Sequence, residues 1–166
     1  PPSLPPPFGE ICESVDFSTS SMGDHAGGWS FHVSDDDVGS MAATGGIVDG
    51  YFRVDVSATQ GSGWRVRLNH AFTDGVSRVY RLEWRLRVVG PTQQTYSVAR
   101  SCCGSGAWLG SATATIGTLG TWQTGTFDFT TSGDRDRIQF DFGAVINVVD
   151  IDDLHLQCLP LPPSPL

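Results

Sequence analysis

The chain has 166 residues, 20 of them glycine, with 39% apolar and 17% charged residues and a net charge of −8. That length argues for one domain, and the composition excludes a disordered chain, a coiled coil and a collagen. The negative field disfavours nucleic acid as a partner, and no apolar run reaches the roughly 18 residues of a membrane-spanning helix, so no membrane partner is expected.

The chain opens on five of its ten prolines within residues 1–9 and closes on four more within 160–166. Proline at that density favours extended polyproline II and resists packing. Residues 1–9 and 160–166 are therefore expected to be linkers around one folded domain at 10–159. Cys12 and Cys158 lie just inside the two linkers, and domain ends tend to lie close together, which predicts a Cys12–Cys158 disulfide. The other cysteines, Cys102 and Cys103, are chain neighbours that either form a strained vicinal bridge or remain unpaired. Their spacing matches no zinc knuckle. Disulfides imply a secreted protein.

Between the linkers, alternation of period two recurs and helical periodicity does not. Phe52-Arg53-Val54-Asp55-Val56 and Trp64-Arg65-Val66-Arg67-Leu68 alternate. Tyr80-Arg81-Leu82-Glu83-Trp84-Arg85-Leu86-Arg87 sets four apolar residues against four charged ones. Phe127-Asp128-Phe129 and Ile138-Gln139-Phe140-Asp141-Phe142 follow, and 148–156 supplies a closing strand. Breakers such as Gly45-Gly46, Gly61-Ser62-Gly63, Asp74-Gly75 and Ser132-Gly133-Asp134 separate them. About ten half-buried strands predict an all-β fold, an antiparallel β-sandwich of the jelly-roll kind.

The alternation puts Trp64, Val66, Leu68, Tyr80, Leu82, Trp84, Leu86, Phe140 and Phe142 inside. It turns Arg65, Arg67, Asn69, Arg81, Glu83, Arg85, Arg87, Gln139 and Asp141 outward. All ten basic residues are arginine, and five of them fall in these two arginine-bearing strands. Either composition bias or placement for bidentate hydrogen bonding explains the absence of lysine. Placement would make this outward set a polar groove.

Catalytic constellations are scarce. A glycosidase needs two placed carboxylates. Only Glu83 with Asp141 could form such a pair, and Arg81 and Arg85 beside Glu83 favour its ionised form over a general acid. No nucleophile elbow, His-Glu-x-x-His or phosphate loop is present. The four histidines are scattered. The chain is expected not to be an enzyme.

Several motifs in order resemble carbohydrate-binding modules of families 4, 9 and 22, β-jelly rolls attached to polysaccharide-degrading enzymes. They are Ser14-Val15-Asp16-Phe17, Gly27-Gly28-Trp29, Tyr51-Phe52-Arg53-Val54 and Gly63-Trp64-Arg65-Val66-Arg67-Leu68. After the tyrosine strand up to Arg87 come Thr121-Trp122 to Phe127, Asp136-Arg137-Ile138-Gln139-Phe140 and Ile151-Asp152-Asp153-Leu154. The resemblance covers roughly residues 11–157. It implies a groove on one sheet where aromatic rings stack on sugars and polar groups bond hydroxyls. Tyr51, Arg65, Arg67, Arg81, Glu83, Arg85, Trp108, Gln139 and Asp141 are the candidates, with Trp29 as a further platform. Trp64, Trp84 and Trp122 are expected in the core. The resemblance also implies a structural Ca²⁺, for which Asp152 matches one position, Asp49 lies near another, and Asp16 or Glu13 could replace the family's glutamate, which is Ser18 here.

The expected partner is a polysaccharide or oligosaccharide, with uronate units favoured by the arginines, and the expected setting is a larger chain carrying a catalytic domain. The alternative is an adhesive or structural module of a hydroxyproline-rich extracellular matrix protein.

Overall fold

A computed structural model of the chain describes residues 11–15, 28–34, 42–58, 62–72, 77–90, 95–102, 107–115, 119–133 and 136–159, with backbone alone at 11–15, 64, 95, 102, 107–115 and 159. The described residues form eleven strands: β1 Ile11–Val15, β2 Trp29–Val33, β3 Ala42–Val48, β4 Tyr51–Ala58, β5 Val66–Ala71, β6 Val79–Val88, β7 Thr95–Cys102, β8 Ala107–Thr115, β9 Gln123–Thr130, β10 Arg137–Asp141 and β11 Asn147–Leu159. One turn of 3₁₀ helix, Gly63–Arg65, precedes β5.

Every pairing is antiparallel. A six-stranded sheet runs β3-β4-β11-β6-β9, with β1 also on β11, and a five-stranded sheet runs β2-β5-β10-β7-β8. The long β11 holds β4 along Asn147–Ile151 and β1 along 154–157, while β6 takes its other edge. The result is the expected jelly-roll β-sandwich.

Alternation explains the layers. Along β6 the odd and even positions are half-buried and buried in strict turn, so Tyr80, Leu82, Trp84, Leu86 and Val88 enter the core. Rings from the two sheets meet across it. Phe31 of β2 lies 5.7 Å from Phe52 of β4, and Trp84 of β6 meets Phe140 of β10 edge-on at 5.3 Å. Each such buried side chain contributes about 2–3 kcal/mol relative to exposure.

Two local expectations are corrected, and one turn is added. Gly45-Gly46 does not break the chain; β3 runs through it, because Phe31 and Phe52 close over Gly45 and a Cβ there would lie 2.8 Å from both rings. Trp64 and Arg65 sit in the 3₁₀ turn, so the strand expected from Trp64 starts at Val66. Asp49 and Gly50, with φ of 51° and 85°, form the two-residue turn between β3 and β4. Positive φ at both positions is the type I′ hairpin signature, and Asp-Gly suits it. Asp74-Gly75 lies outside the described residues.

Candidate functional site

The outward arginines do not share one face. Arg67 belongs to β5 in the five-stranded sheet, with Arg65 in the turn leading into it, whereas Arg81, Arg85 and Arg87 belong to β6 in the six-stranded sheet. Alternation separates inside from outside but does not say which layer a strand joins. The outward faces of β5 and β6 are therefore the two opposite exteriors of the sandwich.

The five-stranded exterior carries Arg67, Asn69, Gln139 and Asp141. Register places Asn69 beside Gln139 and Ala99, and Arg67 beside Asp141 and Ser97. These positions face away from the core, yet Asn69, Gln139 and Asp141 are only 8%, 5% and 8% exposed. A polar row at outward positions but sheltered from water makes this face the candidate binding surface. Gln139 Nε2 donates to Asp141 Oδ1 at 2.8 Å. Asn69 Nδ2 donates to the Ser30 carbonyl and its Oδ1 accepts from Ser30 Oγ, both at 3.2 Å. Burial pushes the Asp141 carboxyl up from 3.8 to about 6, against the Gln139 hydrogen bond and the Arg67 charge, which pull it down.

The 3₁₀ turn closes one end of this row. A Cβ on Gly63 would lie 3.4 Å from that of Asp141, and Gly143 N donates to Gly63 O at 2.9 Å. Trp64 and Arg65 are thereby carried next to Asp141 by their backbone. Trp108, on the edge strand β8, stands in register with Ser101, in the row of Arg137 and Ala71. Its side chain, like that of Trp64, lies outside the described residues.

The six-stranded exterior carries the other candidates in a lattice of ion pairs. Asp150, fully buried, accepts from Arg53 at 2.7 and 3.0 Å and from Arg87 at 2.8 Å. The hydrogen bond to Asp150 holds the Arg53 guanidinium above its ordinary range despite partial burial. Arg85 bonds Asp152 at 2.7 Å and pairs with Asp153 at 2.9 Å. Arg81 grips Asp128 with two 2.7 Å bonds. Tyr51 receives a 3.2 Å bond from Arg53 Nη2 and meets Trp122 edge-on at 5.9 Å. Arg85 and Arg87 stack on Trp122 at 4.7 and 4.6 Å.

Two tryptophans thus exchange roles. Trp29 is 3% exposed, tilted against His70 and Phe140, and belongs to the core. Trp122 is half-exposed over two guanidinium groups. The sequence held a signal for both, since Trp29 is in phase with Phe31, and Trp122 is out of phase with Phe127 and Phe129. Trp84 is buried as expected.

Glu83 and Asp141, the one carboxylate pair considered for glycoside hydrolysis, lie on opposite exteriors with the core between them. They cannot flank one bond.

Calcium requires six to eight oxygens. Asp152 Oδ2 is engaged by Arg85, while its Oδ1 is buried without a hydrogen-bond partner. Asp49 forms the hairpin turn near Arg53, and Asp16 lies outside the described residues. Among the described residues, no group of three His, Cys, Asp or Glu side chains could hold a metal. They supply one position of a cage and do not form one.

Compared by sequence, no family model and no curated protein matches the chain. Compared by structure, its fold is that of β-sandwich carbohydrate-binding modules. It is similar to a solved family 4 module at 18% identity, with a TM-score of 0.62 over 79% of this chain and 86% of that one. It is similar to the CBM22-1 xylan-binding domain of Paenibacillus barcinonensis Xyn10C at 13% identity and a TM-score of 0.61, covering 93% and 98% of the two chains. A third likeness is to the CBM22-1–GH10 modules of Clostridium thermocellum endo-1,4-β-D-xylanase 10B, solved with xylohexaose. There the identity is 11%, the TM-score 0.58 and the coverage 96% of this chain and 30% of that one.

Proposed function

We propose that the chain is a non-catalytic carbohydrate-binding module that holds a polysaccharide chain along the exterior of its five-stranded sheet. The observation that carries this is the sheltered polar row Asn69–Gln139–Asp141, facing away from the core. Such groups bond sugar hydroxyls well, the amides donating and accepting and the carboxylate accepting. Arg65 and Arg67 flank the row, and the backbone brings Trp64 to one end of it, with Trp108 at the sheet edge. Arg81, Glu83, Arg85 and Tyr51 fall outside this groove.

The test is affinity electrophoresis against a panel of neutral and uronate-containing polymers, with Gln139→Ala and Arg67→Ala beside the unaltered chain. Loss of retention in both variants supports the groove, and unchanged retention in both removes it. Equal retention of the unaltered chain on neutral and uronate polymers removes the uronate preference, which rests on Arg65 and Arg67. Attachment to a catalytic domain is supported by the proline-rich flanks and by the composition of the xylanase chain above. The adhesive alternative finds no broad apolar patch among the described residues, where Val89, Leu119 and Ile146 are the exposed large hydrophobics.

A Cys12–Cys158 disulfide in a secreted protein belongs to the same proposal. β1 carries Cys12 along the strand that bears Cys158, and Cys158, packed against the core, is not a free thiol. Calcium is supported only by the unpartnered Asp152 Oδ1. A melting temperature unmoved by chelation would dismiss it.

A further inference from the structure

The six-stranded exterior holds a recess that the groove leaves unused. It measures about 350 Å³ and is walled by Glu83, Arg85, Thr124, Thr126, Asp153 and His155. Three adjacent strands build it: β6, β9 and β11. Register sets His155, Glu83 and Thr126 in one row, with Arg85 and Thr124 in the next.

Asp153 reaches the recess by leaving strand geometry. The pairing of β11 with β6 slips between Asp152 and His155, and Asp153 adopts φ 50° in the left-handed region. A non-glycine residue does so at a cost of about 1 kcal/mol or more. In a regular strand, successive side chains point to opposite faces. Here Asp152 and Asp153 both reach Arg85, at 2.7 and 2.9 Å. The bulge re-aims one carboxylate onto the exterior, a use of bulges common near binding sites. Glu83 is held as well, its Oε2 accepting from Gln157 Nε2 at 3.1 Å.

The charge balance then selects a ligand class. Arg85 is matched by Asp152 and Asp153, and Glu83 adds a further carboxylate, so the recess does not attract anions. It offers carboxylate acceptors, a guanidinium and two threonine hydroxyls beside the half-exposed Trp122 indole. Arg85 and Arg87 rise from one face of β6, and their guanidinium groups lie 4.7 and 4.6 Å from the centre of the Trp122 ring. Hydroxyls that donate and accept match this wall, and the apolar face of a pyranose matches an indole. The volume sits at the low end of ligand sites, enough for a single sugar ring.

We infer that this recess is a second saccharide site, opposite the groove, that takes one neutral pyranose unit of a polymer. The module then engages two chains at once and bridges them, gaining retention by effective concentration.

The test is an NMR titration of the ¹⁵N-labelled chain with four neutral hexasaccharides: xylohexaose, cellohexaose, mannohexaose and galactohexaose. Shifts of the Trp122 indole N–H and the Thr124 and Thr126 amides are expected with at least one sugar. Their saturation should be independent of the Asn69 and Gln139 amides. Glu83→Gln is expected to weaken that response about tenfold, the effect of losing one charged hydrogen bond, and to leave the groove signals alone. Gln139→Ala should do the reverse. Trp122, Thr124 and Thr126 signals that no neutral sugar moves would overturn the inference, whatever the groove does. So would a response only to galacturonate oligomers, or loss of the response in Gln139→Ala. Because the unaltered chain is read directly, a variant that fails to fold leaves the outcome decided.

Discussion

Asp141 is a carboxylate that the fold keeps from water, with Gln139 and Arg67 acting to favour its ionised form. With its carboxyl at about 6 when folded and 3.8 as its ordinary value, the native state binds the proton more tightly than the unfolded chain does. A raised carboxyl costs stability as pH rises from about 4 to 6, and the cost is complete above that. At about 1.4 kcal/mol per unit, the penalty at neutral pH is of the order of 3 kcal/mol. Asp141→Asn is therefore expected to raise the melting temperature at pH 7 and to flatten its dependence between pH 4 and 7. A variant that keeps the slope of the unaltered chain would contradict this.

The same ionised carboxylate is the groove's strongest acceptor. Glycan affinity in the unaltered chain is expected to rise through pH 6, and in Asp141→Asn to be lower and level. Isothermal titration at pH 5 and 7 reads both. Asp150 illustrates the opposite arrangement, a fully buried carboxylate met by two guanidinium groups. Asp150→Ala strands Arg53 and Arg87 together and is expected to cost about 3 kcal/mol in chemical denaturation.

At the scale of the element, two glycines act as sockets. A Cβ on Gly125 would sink into the Trp84 indole, as one on Gly45 would into Phe31 and Phe52. Gly125→Ala is expected to cost about 1–3 kcal/mol and to shift Trp84 fluorescence, because the indole must leave its seat against Phe140. A melting temperature unchanged by this substitution would show that the ring has room.

Neither socket is legible in the chain, where Gly45-Gly46 looks like a break and Gly125 stands alone between threonines. The strands themselves are legible, since period-two alternation marks β4, β6 and β10, and burial follows it residue by residue along β4 and β6. What alternation lacks is the layer. Arg67 and Arg85 look alike in sequence and end on opposite exteriors, because β5 and β6 are joined by a crossover between the sheets. The sequence therefore names Arg65, Arg67, Trp108, Gln139 and Asp141 of the five-stranded side together with residues of the other face. The bulge at Asp152–His155 left no mark at all, since backbone φ at an aspartate is set by its partner strands.

For the molecule as a whole, Glu83 and Asp141 stand on opposite exteriors and cannot act as a pair on one glycosidic bond. The isolated chain is expected to release no reducing ends from xylan or mixed-linkage glucan, and measurable release would refute the non-catalytic proposal. Reduction should lower stability through loss of the proposed Cys12–Cys158 bridge, by at most about 4–5 kcal/mol on the chain-entropy model. Cys12→Ser is expected to reproduce that loss in the unreduced state.

The pairing of β1 with β11 also decides how the domain answers to force. Ile11 stands opposite Gln157, so the chain enters and leaves the fold side by side. Tension applied through the two proline-rich flanks pulls those neighbours apart from one end and loads their hydrogen bonds in succession, as a zipper is opened. Sheared strands share a load among many bonds; this pair does not. A covalent link between Cys12 and Cys158 would sit at that opening end and carry the load there, leaving the sandwich behind it slack while the flanks are stretched.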